Sequence, residues 1–200
     1  MDDKKELTLV IVKPDGVQRG LIGEIVKRYE RSGLKLAALK MRIPSEQLIE
    51  RHYLVDPKWK QRVGEKSIKA YKEKGLTPPS LNPEEVGDRV LSNLKRYLVS
   101  GPVVAMIWQG VNAVGVVKKI TGETEPLISD VGTIRGDLTI DSYKLADTDE
   151  RAVRNLVHAS GSPEEAEKEA ALWFDASEIL KYRLISESVL YDVNLDGILE

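Results

Sequence analysis

Four apolar segments, each followed by a stretch of helical spacing, constrain the fold of this chain more than any other feature. The first, LTLVIVK (7–13), is rich in β-branched residues and is closed by Pro14 and Gly16, which predicts a buried strand. Apolar residues then recur at helical spacing from Leu21 to Tyr29. The other predicted strands are 34–43, 101–110 and 153–158. This order predicts a compact sheet with helices on one face.

Start signals support the helices that follow these strands. Ser45 and Ser162 stand in N-cap positions, and Pro163 lies in the first turn after Ser162. Glu165 is spaced to complete a capping box with Ser162. Besides the helix after Ser45, helical segments are predicted over 89–99, 111–122 and 162–174.

Two segments interrupt this alternation. Residues 123–149 contain no long periodic run and are predicted to be extended loops. Residues 55–89 combine a charged stretch with a run rich in turn residues, which predicts an insertion that is part helix and part loop. We therefore expect a single domain over 1–200, with this insertion and a C-terminal tail at 183–200 that covers a surface or a partner subunit.

Composition excludes several classes of protein. The chain has 200 residues and a formal net charge of -2, which disfavours a nucleic-acid binder held by bulk charge. It contains no cysteine, so disulfides, CxxC redox chemistry and cysteine zinc sites are excluded. Without a GxGxxG or GxxxxGK[ST] motif, dinucleotide-binding and P-loop folds lose their main support. No apolar run reaches membrane-spanning length, and we expect a soluble, cytoplasmic protein.

The stretch NLVHASGS (155–162) holds the strongest candidate for chemistry. His158 is one of two histidines, and it lies where a predicted strand ends and a capped helix begins. Free N–H groups at a helix start attract anions, and imidazole is a nucleophile that titrates near neutrality. Ser160 and Glu169 could fix the ring by hydrogen bonding. On this pattern alone, an ordinary surface or core histidine stays the better interpretation.

Three further residues could bind an anion. Lys13 ends the first strand and is held by the rigid KPDG turn. Arg135 lies between glycines in GTIRGD, and glycine lets a backbone approach a ligand closely. Thr124, in TGETEP, offers a hydroxyl after a helix end. The plainer interpretations are a solvated strand end for Lys13 and a surface arginine in a loop turn for Arg135, and Thr124 alone is a weak signal.

Taken together and in order, several motifs resemble the nucleoside diphosphate kinase family. These motifs are VKPDGVQRGLIGEIVKRYERSG, HY, SGPVVAMIWQG, GETEP, GTIRGD and RNLVHASGSPEEAEKEAALWF. The resemblance covers most of residues 7–174 and implies an α+β, ferredoxin-like fold with a four-stranded antiparallel sheet. It implies ping-pong transfer of a γ-phosphate from ATP or another nucleoside triphosphate to a nucleoside diphosphate, with Mg²⁺. It also implies a homo-oligomer, a hexamer or a tetramer.

The resemblance assigns roles to particular residues of this chain. His158 would be the phosphorylated nucleophile, supported by Ser160 and Glu169. Thr124 would bind a phosphate oxygen, and Lys118 stands where the family normally has arginine. The residues around the phosphates and the ribose would be Lys13, Tyr53, Arg135 and Asn155. Mg²⁺ would be carried by the nucleotide phosphates, without a direct protein ligand.

Besides Lys118, the chain departs from the family pattern at the base-stacking position, at Gly161 and in the length of two segments. The position of the base-stacking phenylalanine falls near Val90, so Trp59 or Tyr71 could stack on the base instead, or stacking is lost. Gly161 replaces a common acidic residue between the two serines after the histidine. Residues 55–89 and 139–154 are longer than the family norm.

The insertion is basic, and two interpretations of it stay open. Its cations, set against Glu65 and Glu73, are Lys58, Lys60, Arg62, Lys66, Lys69, Lys72 and Lys74. A solvated helical arm is the plainer interpretation, and a lid whose lysines reach the nucleotide is the sharper one. For the whole chain, the alternatives to an active kinase are a non-catalytic nucleotide-binding or scaffold protein and a nucleic-acid-binding module. The last would need a basic face with exposed aromatic residues, and only 6% of the chain is aromatic.

Overall fold

A four-stranded sheet forms the centre of the protein, with the strand order β2-β3-β1-β4. The structure, a computed structural model, describes residues 5–73 and 75–191. The strands are β1 (Lys5–Val12), β2 (Lys35–Arg42), β3 (Val103–Val111) and β4 (Val157–Ala159). Each neighbouring pair is antiparallel. The predicted α+β class and four-stranded antiparallel sheet are therefore confirmed.

Helices and short turns connect the strands. Within the described residues, the α-helices are α1 (Pro14–Gln18), α2 (Ile22–Glu30), α3 (Glu46–Tyr53), α4 (Trp59–Glu73), α5 (Pro83–Leu98), α6 (Ala113–Thr121), α7 (Ile134–Leu138), α8 (Tyr143–Thr148), α9 (Pro163–Trp173) and α10 (Glu187–Tyr191). Two 3-10 helices cover Pro126–Ile128 and Ala176–Glu178. Among these residues no helix is both long and apolar enough to cross a membrane.

Helices cover both faces of the sheet, so the expectation of helices on one face is wrong. Leu9 and Ile11 of β1 pack into one core with residues of α3 and α9. Val10 and Val12 point to the opposite face and pack with residues of α2, α6 and α7. The reason lies in the strand itself, because a continuous apolar run must be buried on both sides.

The fourth strand is shorter than predicted. It begins at Val157 rather than at residue 153. Side chains hold the residues before it: the Asp141 carboxylate accepts from the Arg154 backbone N–H, and Asp15 accepts from the Leu156 N–H. Leu156 has a φ of 65°, a left-handed conformation that a regular strand excludes. The periodicity of the sequence cannot reveal the late start of β4, because the hydrogen bonds to Arg154 and Leu156 come from side chains distant in the chain.

Residues 123–149, predicted to be extended loops, contain three short helices instead. They are the 3-10 helix at Pro126–Ile128 together with α7 and α8. Thr133 caps α7 and Ser142 caps α8, each accepting a backbone N–H. Helices of one or two turns are too short to show an apolar period, which explains why the sequence pattern missed them.

The predicted helix caps are confirmed, with one difference. Ser45 accepts from the Leu48 N–H and Ser162 accepts from the Glu165 N–H. The Glu165 carboxylate, however, accepts from the N–H of Gly161 rather than of Ser162. Only one of the two hydrogen bonds of the capping box therefore forms, and the Glu165 carboxylate lies beside Gly161.

Much of the predicted insertion is a helical hairpin made by α4 and α5. The second helix begins at Pro83, six residues earlier than the predicted start at 89, because Asn82 caps it by accepting from the Glu84 N–H. The two helices approach closely through glycines. A Cβ on Gly64 would overlap the Pro83 carbonyl, and one on Gly87 would overlap the Lys60 carbonyl. Lys74 lies outside the described residues, and the division into one domain with an insertion at 55–89 stays a prediction.

The described part of the predicted tail lies against the sheet. Within the tail, Glu187 forms a 2.6 Å ion pair with Lys5, and the carbonyl of Tyr182, the residue before the tail, accepts from the Lys35 side chain. Just before the tail, the Leu180 N–H donates to the Ala37 carbonyl on β2. Residues 192–200 of the predicted tail lie outside the described residues.

We predict that Gly64→Ala destabilises the protein by about 1–3 kcal/mol, because the added methyl group overpacks the contact between α4 and α5. Alanine at an exposed helix position should instead stabilise by about 0.5–1 kcal/mol. Gly115→Ala is the matched control, since Gly115 is an exposed residue of α6 with open space around it. Urea unfolding measures both. Equal stability of the two variants would contradict the close approach.

Candidate active site

A cavity of about 850 Å³ lies between the end of β1, β4 and the helical hairpin. Its walls include eight of the ten residues predicted to form the site: Lys13, Tyr53, Val90, Lys118, Thr124, Arg135, Asn155 and His158. Ser160 and Glu169 do not line it. They are buried behind the histidine, at 0% and 1% exposure. The fold therefore separates the predicted residues into a cavity wall and a support for one ring.

His158 lies on β4 and pairs with Ile11 of β1. Its Nε2 atom lies 3.0 Å from Oε2 of Glu169. Because an ionised carboxylate only accepts hydrogen bonds, Nε2 carries the ring proton when the imidazole is neutral. Nδ1 then keeps its lone pair, and no described residue hydrogen-bonds to it.

The electrostatics keep this ring neutral. Burial and the nearby Lys13 charge lower the pKa of His158 to about 3. The imidazole is therefore uncharged near pH 7 and available as a nucleophile. Burial also raises the pKa of Glu169, which Ser160 offsets by donating to Oε2 at 2.6 Å.

Lys13 and Asn155 form a second polar unit at the cavity wall. Nζ of Lys13 donates to Oδ1 of Asn155 at 2.6 Å, and Nδ2 of Asn155 donates to the Thr124 carbonyl at 2.8 Å. Burial and the positive charge of Arg135 lower the pKa of Lys13 to about 7. Lys13 is therefore only partly protonated near pH 7, and an anion that enters the cavity would favour its charged form.

Arg135 is a structural anchor as well as a cavity residue. Its guanidinium donates to three backbone carbonyls, those of Gly122, Asn155 and Val157. These bonds tie α7 to the segment that leads into β4. Arg135 thereby fixes the backbone on which His158 stands, a role that the sequence did not indicate.

The remaining predicted residues lie at the edges of the cavity. Lys118, in the last turn of α6, donates to the Gly161 carbonyl at 3.3 Å. Trp59 is buried, with its ring 5.2 Å from that of Tyr53, whereas Tyr71 is half-buried. Of the two candidates for base stacking, Tyr71 thus keeps more of its surface open, and it shares the cavity with Val90.

Sequence reasoning missed His52. The residue lies on α3, is 2% exposed and stacks edge-on against His158, with the ring centroids 4.4 Å apart. It contacts Glu169 and accepts from the indole N–H of Trp173. A signal was present, because Leu48, Ile49 and His52 fall on one helical face.

Comparison with known proteins decides what kind of site this is. The family model described as nucleoside diphosphate kinase matches residues 6–75 and 80–179. The chain belongs to the nucleoside diphosphate kinase family. It is accordingly a phosphotransferase that moves a γ-phosphate from a nucleoside triphosphate to a nucleoside diphosphate.

Individual nucleoside diphosphate kinases agree with this assignment. A relative from Pyrobaculum aerophilum is 47% identical over 180 residues, covering 88% of this chain and 98% of the relative. The crystal structure of an NDP kinase from that organism has a TM-score of 0.86, at 47% identity, and covers 88% of this chain and 100% of that one. The kinase from Borrelia burgdorferi, solved as a transition-state mimic with vanadate and ADP, has a TM-score of 0.77 at 35% identity and covers 94% and 97%. The ferredoxin-like fold predicted from the sequence is confirmed.

We predict that Asn155→Asp raises the pKa of Lys13 well above 7. The substitution places a carboxylate where the amide oxygen now accepts at 2.6 Å, and an opposite charge favours the ammonium form. Titration followed by ¹⁵N NMR of the lysine Nζ measures the shift. Asn112→Asp is the control, because Asn112 is exposed and follows Val111, which pairs with Lys5 at the other end of β1. An unchanged Lys13 pKa in Asn155→Asp would contradict the described contact.

Proposed function

We propose that the chain transfers phosphate in two half-reactions through a phosphohistidine on Nδ1 of His158. The observation that carries the proposal is a neutral imidazole at the cavity wall whose Nε2 is bonded to a buried carboxylate. In the first step the Nδ1 lone pair attacks the γ-phosphorus, and the bond to the bridging β-phosphate oxygen breaks. The nucleoside diphosphate leaves with that electron pair. The second step is the reverse, with a different diphosphate as acceptor.

Cationic side chains would neutralise the charge that spreads over the transferred group. Lys13, Lys118 and Arg135 line the cavity with His158, which supports their assignment to the phosphates. Lys118 keeps the charge of the family's arginine without its bidentate fork. Thr124 and Tyr53 would add hydroxyl contacts, and Asn155 would hold Lys13 against the phosphates and the ribose.

Mg²⁺ fits this site only as a companion of the nucleotide. Among the described residues, the one group that brings metal-ligating atoms together is His52, His158 and Glu169. Two imidazoles and one carboxylate do not suit an ion that prefers oxygen ligands. We propose that Mg²⁺ is held by the phosphate oxygens, where it would neutralise the developing charge.

The non-catalytic alternative would be favoured by a broken site. Here the predicted nucleophile, its carboxylate support and the cationic cavity wall are all present, and they lie in contact. The nucleic-acid alternative is disfavoured by the net charge of -2 and by an aromatic content of only 6%. Neither alternative has an observation that favours it.

We predict that the protein incubated with γ-labelled ATP and Mg²⁺, without an acceptor, gains an acid-labile label. His158→Ala should lose the label, because the attacking nitrogen is gone. His52→Ala should still be labelled at the end point. Transfer of the label to GDP or dGDP then separates a kinase from a trapped phosphoprotein. Equal labelling of all three proteins would refute the phosphohistidine at His158.

Only one lysine of the described insertion supports the interpretation of the insertion as a lid. Among the described cations of the insertion, Lys66 and Arg89 line the cavity, and Arg89 is paired with Glu150. Three others are paired with acids: Lys60 with Asp88, Arg62 with Asp56, and Lys69 with Glu73. We propose that Lys66, together with Tyr71, reaches the nucleotide, while most of α4 is a solvated arm.

We predict that Lys66→Met raises the KM for nucleotides by about 3- to 10-fold, the effect of losing one solvent-screened phosphate contact. Lys69→Met is the matched control, because Lys69 lies on the same helix with a side chain 78% exposed. Steady-state kinetics measure both. Removing residues 57–87 tests the whole insertion, and an unchanged KM in that deletion would reject the lid.

We propose that the protein is a homo-oligomer, a hexamer or a tetramer. The edge strand β2 exposes the apolar residues Leu39 and Met41, and Ile43, just after the strand, is exposed as well. A separate surface exposes Leu127, Val131 and Ile140, the last two at 93% and 96%. Exposed apolar edges of this kind favour association. Two separate surfaces support an assembly larger than a dimer.

We predict that light scattering gives a mass of four or six protomers and that Met41→Lys lowers it. A charge on the edge strand opposes pairing with a second copy. Leu81→Lys serves as the control, because Leu81 is an apolar residue that is 72% exposed and lies outside both of these surfaces and outside the tail. A monomer mass for the unsubstituted protein would reject the oligomer.

A further inference from the structure

Tyr97 is an aromatic residue beside the site to which the scheme above gives no role. It lies in the last turn of α5, and its ring faces the ammonium of Lys13, with Nζ 5.4 Å from the ring centroid. A cation over the face of an aromatic ring and within about 6 Å of its centroid is attracted by the negative charge of that face. The contact therefore favours the charged form of Lys13.

Tyr97 lies behind Lys13 as seen from the cavity that holds His158. Lys13 lines that cavity of about 850 Å³, and Tyr97 does not. The tyrosine instead lines a neighbouring cavity of about 420 Å³, together with Asp15. A nucleotide bound beside His158 would therefore meet the lysine and not the tyrosine, so Tyr97 can act on the reaction only through its neighbours.

The charge of Lys13 needs support, because most of its surroundings oppose it. The side chain is buried, and burial together with the positive charge of Arg135 lowers its pKa to about 7. The Asp15 carboxylate acts in the opposite direction, but Lys13 forms no ion pair with it or with another described residue. His52 and His158 are neutral near pH 7, because burial lowers the pKa of each to about 3. The charged form therefore depends on weaker contacts, and an aromatic face is one of them.

An aromatic face stabilises this ammonium without using its N–H groups. A lysine ammonium has three donors. One of them binds Oδ1 of Asn155 at 2.6 Å, and within the described residues the Lys13 ammonium makes no further hydrogen bond. A carboxylate in the place of the Tyr97 ring would take a second donor and would compete with the phosphates for the lysine. The ring leaves two donors for phosphate oxygens.

The ring of Tyr97, rather than its hydroxyl, makes this contact. The hydroxyl oxygen is buried and makes no hydrogen bond of standard geometry with a described residue. Burial and the negative charge of Asp15 raise the pKa of Tyr97, so the hydroxyl keeps its proton and the side chain stays neutral. Phenylalanine at this position would therefore preserve the contact with Lys13.

We propose that Tyr97 is a positioning residue for phosphoryl transfer: the face of its ring keeps the Lys13 ammonium charged and, with Asn155, directs it toward the phosphates. The inference rests on the proposed function, in which Lys13 neutralises charge on the transferred group. A lysine that is charged and fixed before the nucleotide arrives meets that charge without reorganising.

Two substitutions separate the ring face from the hydroxyl. Tyr97→Leu removes the face, and we expect the pKa of Lys13 to fall by about 0.5 to 1 and kcat/KM at pH 7 to fall about 3- to 10-fold. Tyr97→Phe keeps the face and should restore both values to those of the unsubstituted protein. Tyr191→Leu is the matched control, because Lys5 lies 5.4 Å from the Tyr191 ring centroid at the other end of β1. It should change neither value.

A series of fluorinated rings avoids any folding defect. Replacing Tyr97 with phenylalanines that carry an increasing number of ring fluorines withdraws charge from the face and keeps its shape nearly constant. Titration followed by ¹⁵N NMR of the lysine Nζ should show a Lys13 pKa that falls with each added fluorine, and kcat/KM should fall with it. A constant pKa across the series, or a Tyr97→Phe variant as slow as Tyr97→Leu, would overturn the proposal.

Failure of this inference is distinct from failure of the proposed function. The Lys13 pKa is measured on the free protein, so it reports the contact with Tyr97 whether or not phosphate is transferred. A lowered pKa with unchanged kcat/KM would overturn the positioning role, while labelling of His158 would still support the phosphohistidine. Absence of label from the unsubstituted protein would instead reject the proposed function, and the role of Tyr97 in transfer with it.

Discussion

The buried carboxylate of Glu169 is the interaction on which the rest of the site depends. It comes from α9 and is met by His158 and Ser160 from the end of β4. A charge 1% exposed is costly unless hydrogen bonds satisfy it, so the helix and the strand can pack only in the register that brings these groups together. The same bonds place the proton on Nε2 and leave Nδ1 as the nucleophile. The same hydrogen bonds therefore stabilise this part of the fold and prepare His158 for nucleophilic attack.

Irregular backbone leads into the nucleophile, and side chains rather than a strand ladder hold it. Arg135 binds the carbonyls of Asn155 and Val157, and Asp15 and Asp141 bind N–H groups of the same segment. The left-handed Leu156 turns the chain so that Asn155 reaches Lys13. A regular strand would alternate its side chains between two faces and could not bring Asn155 and His158 to one cavity in this way.

Sequence patterns succeeded where the cause of a structure is local. The cap residues Ser45 and Ser162, the apolar run of β1 and the helix at 162–174 are each specified by neighbouring residues, and each is confirmed. The patterns failed where the cause is distant. The start of β4, the short helices α7 and α8, and helices on both faces of the sheet depend on partners far along the chain. His52 was overlooked because its helical face has the pattern of ordinary core, and only its contacts with Glu169 and Trp173 show that it belongs to the site.

The sequence by itself determined the strand and helix order, the family and the identity of His158 as the candidate nucleophile, because these follow from local chemistry and from motifs in a fixed order. The tertiary structure decided which nitrogen of His158 is free, which residues hold the Glu169 carboxylate, and which lysine of the insertion reaches the cavity. Those facts are distances between residues far apart in the chain: 11 positions separate His158 from Glu169, 121 separate His52 from Trp173, and 142 separate Lys13 from Asn155. Because these groups are buried, each must find its hydrogen-bond partner within the protein, and the partner decides which atom carries the proton.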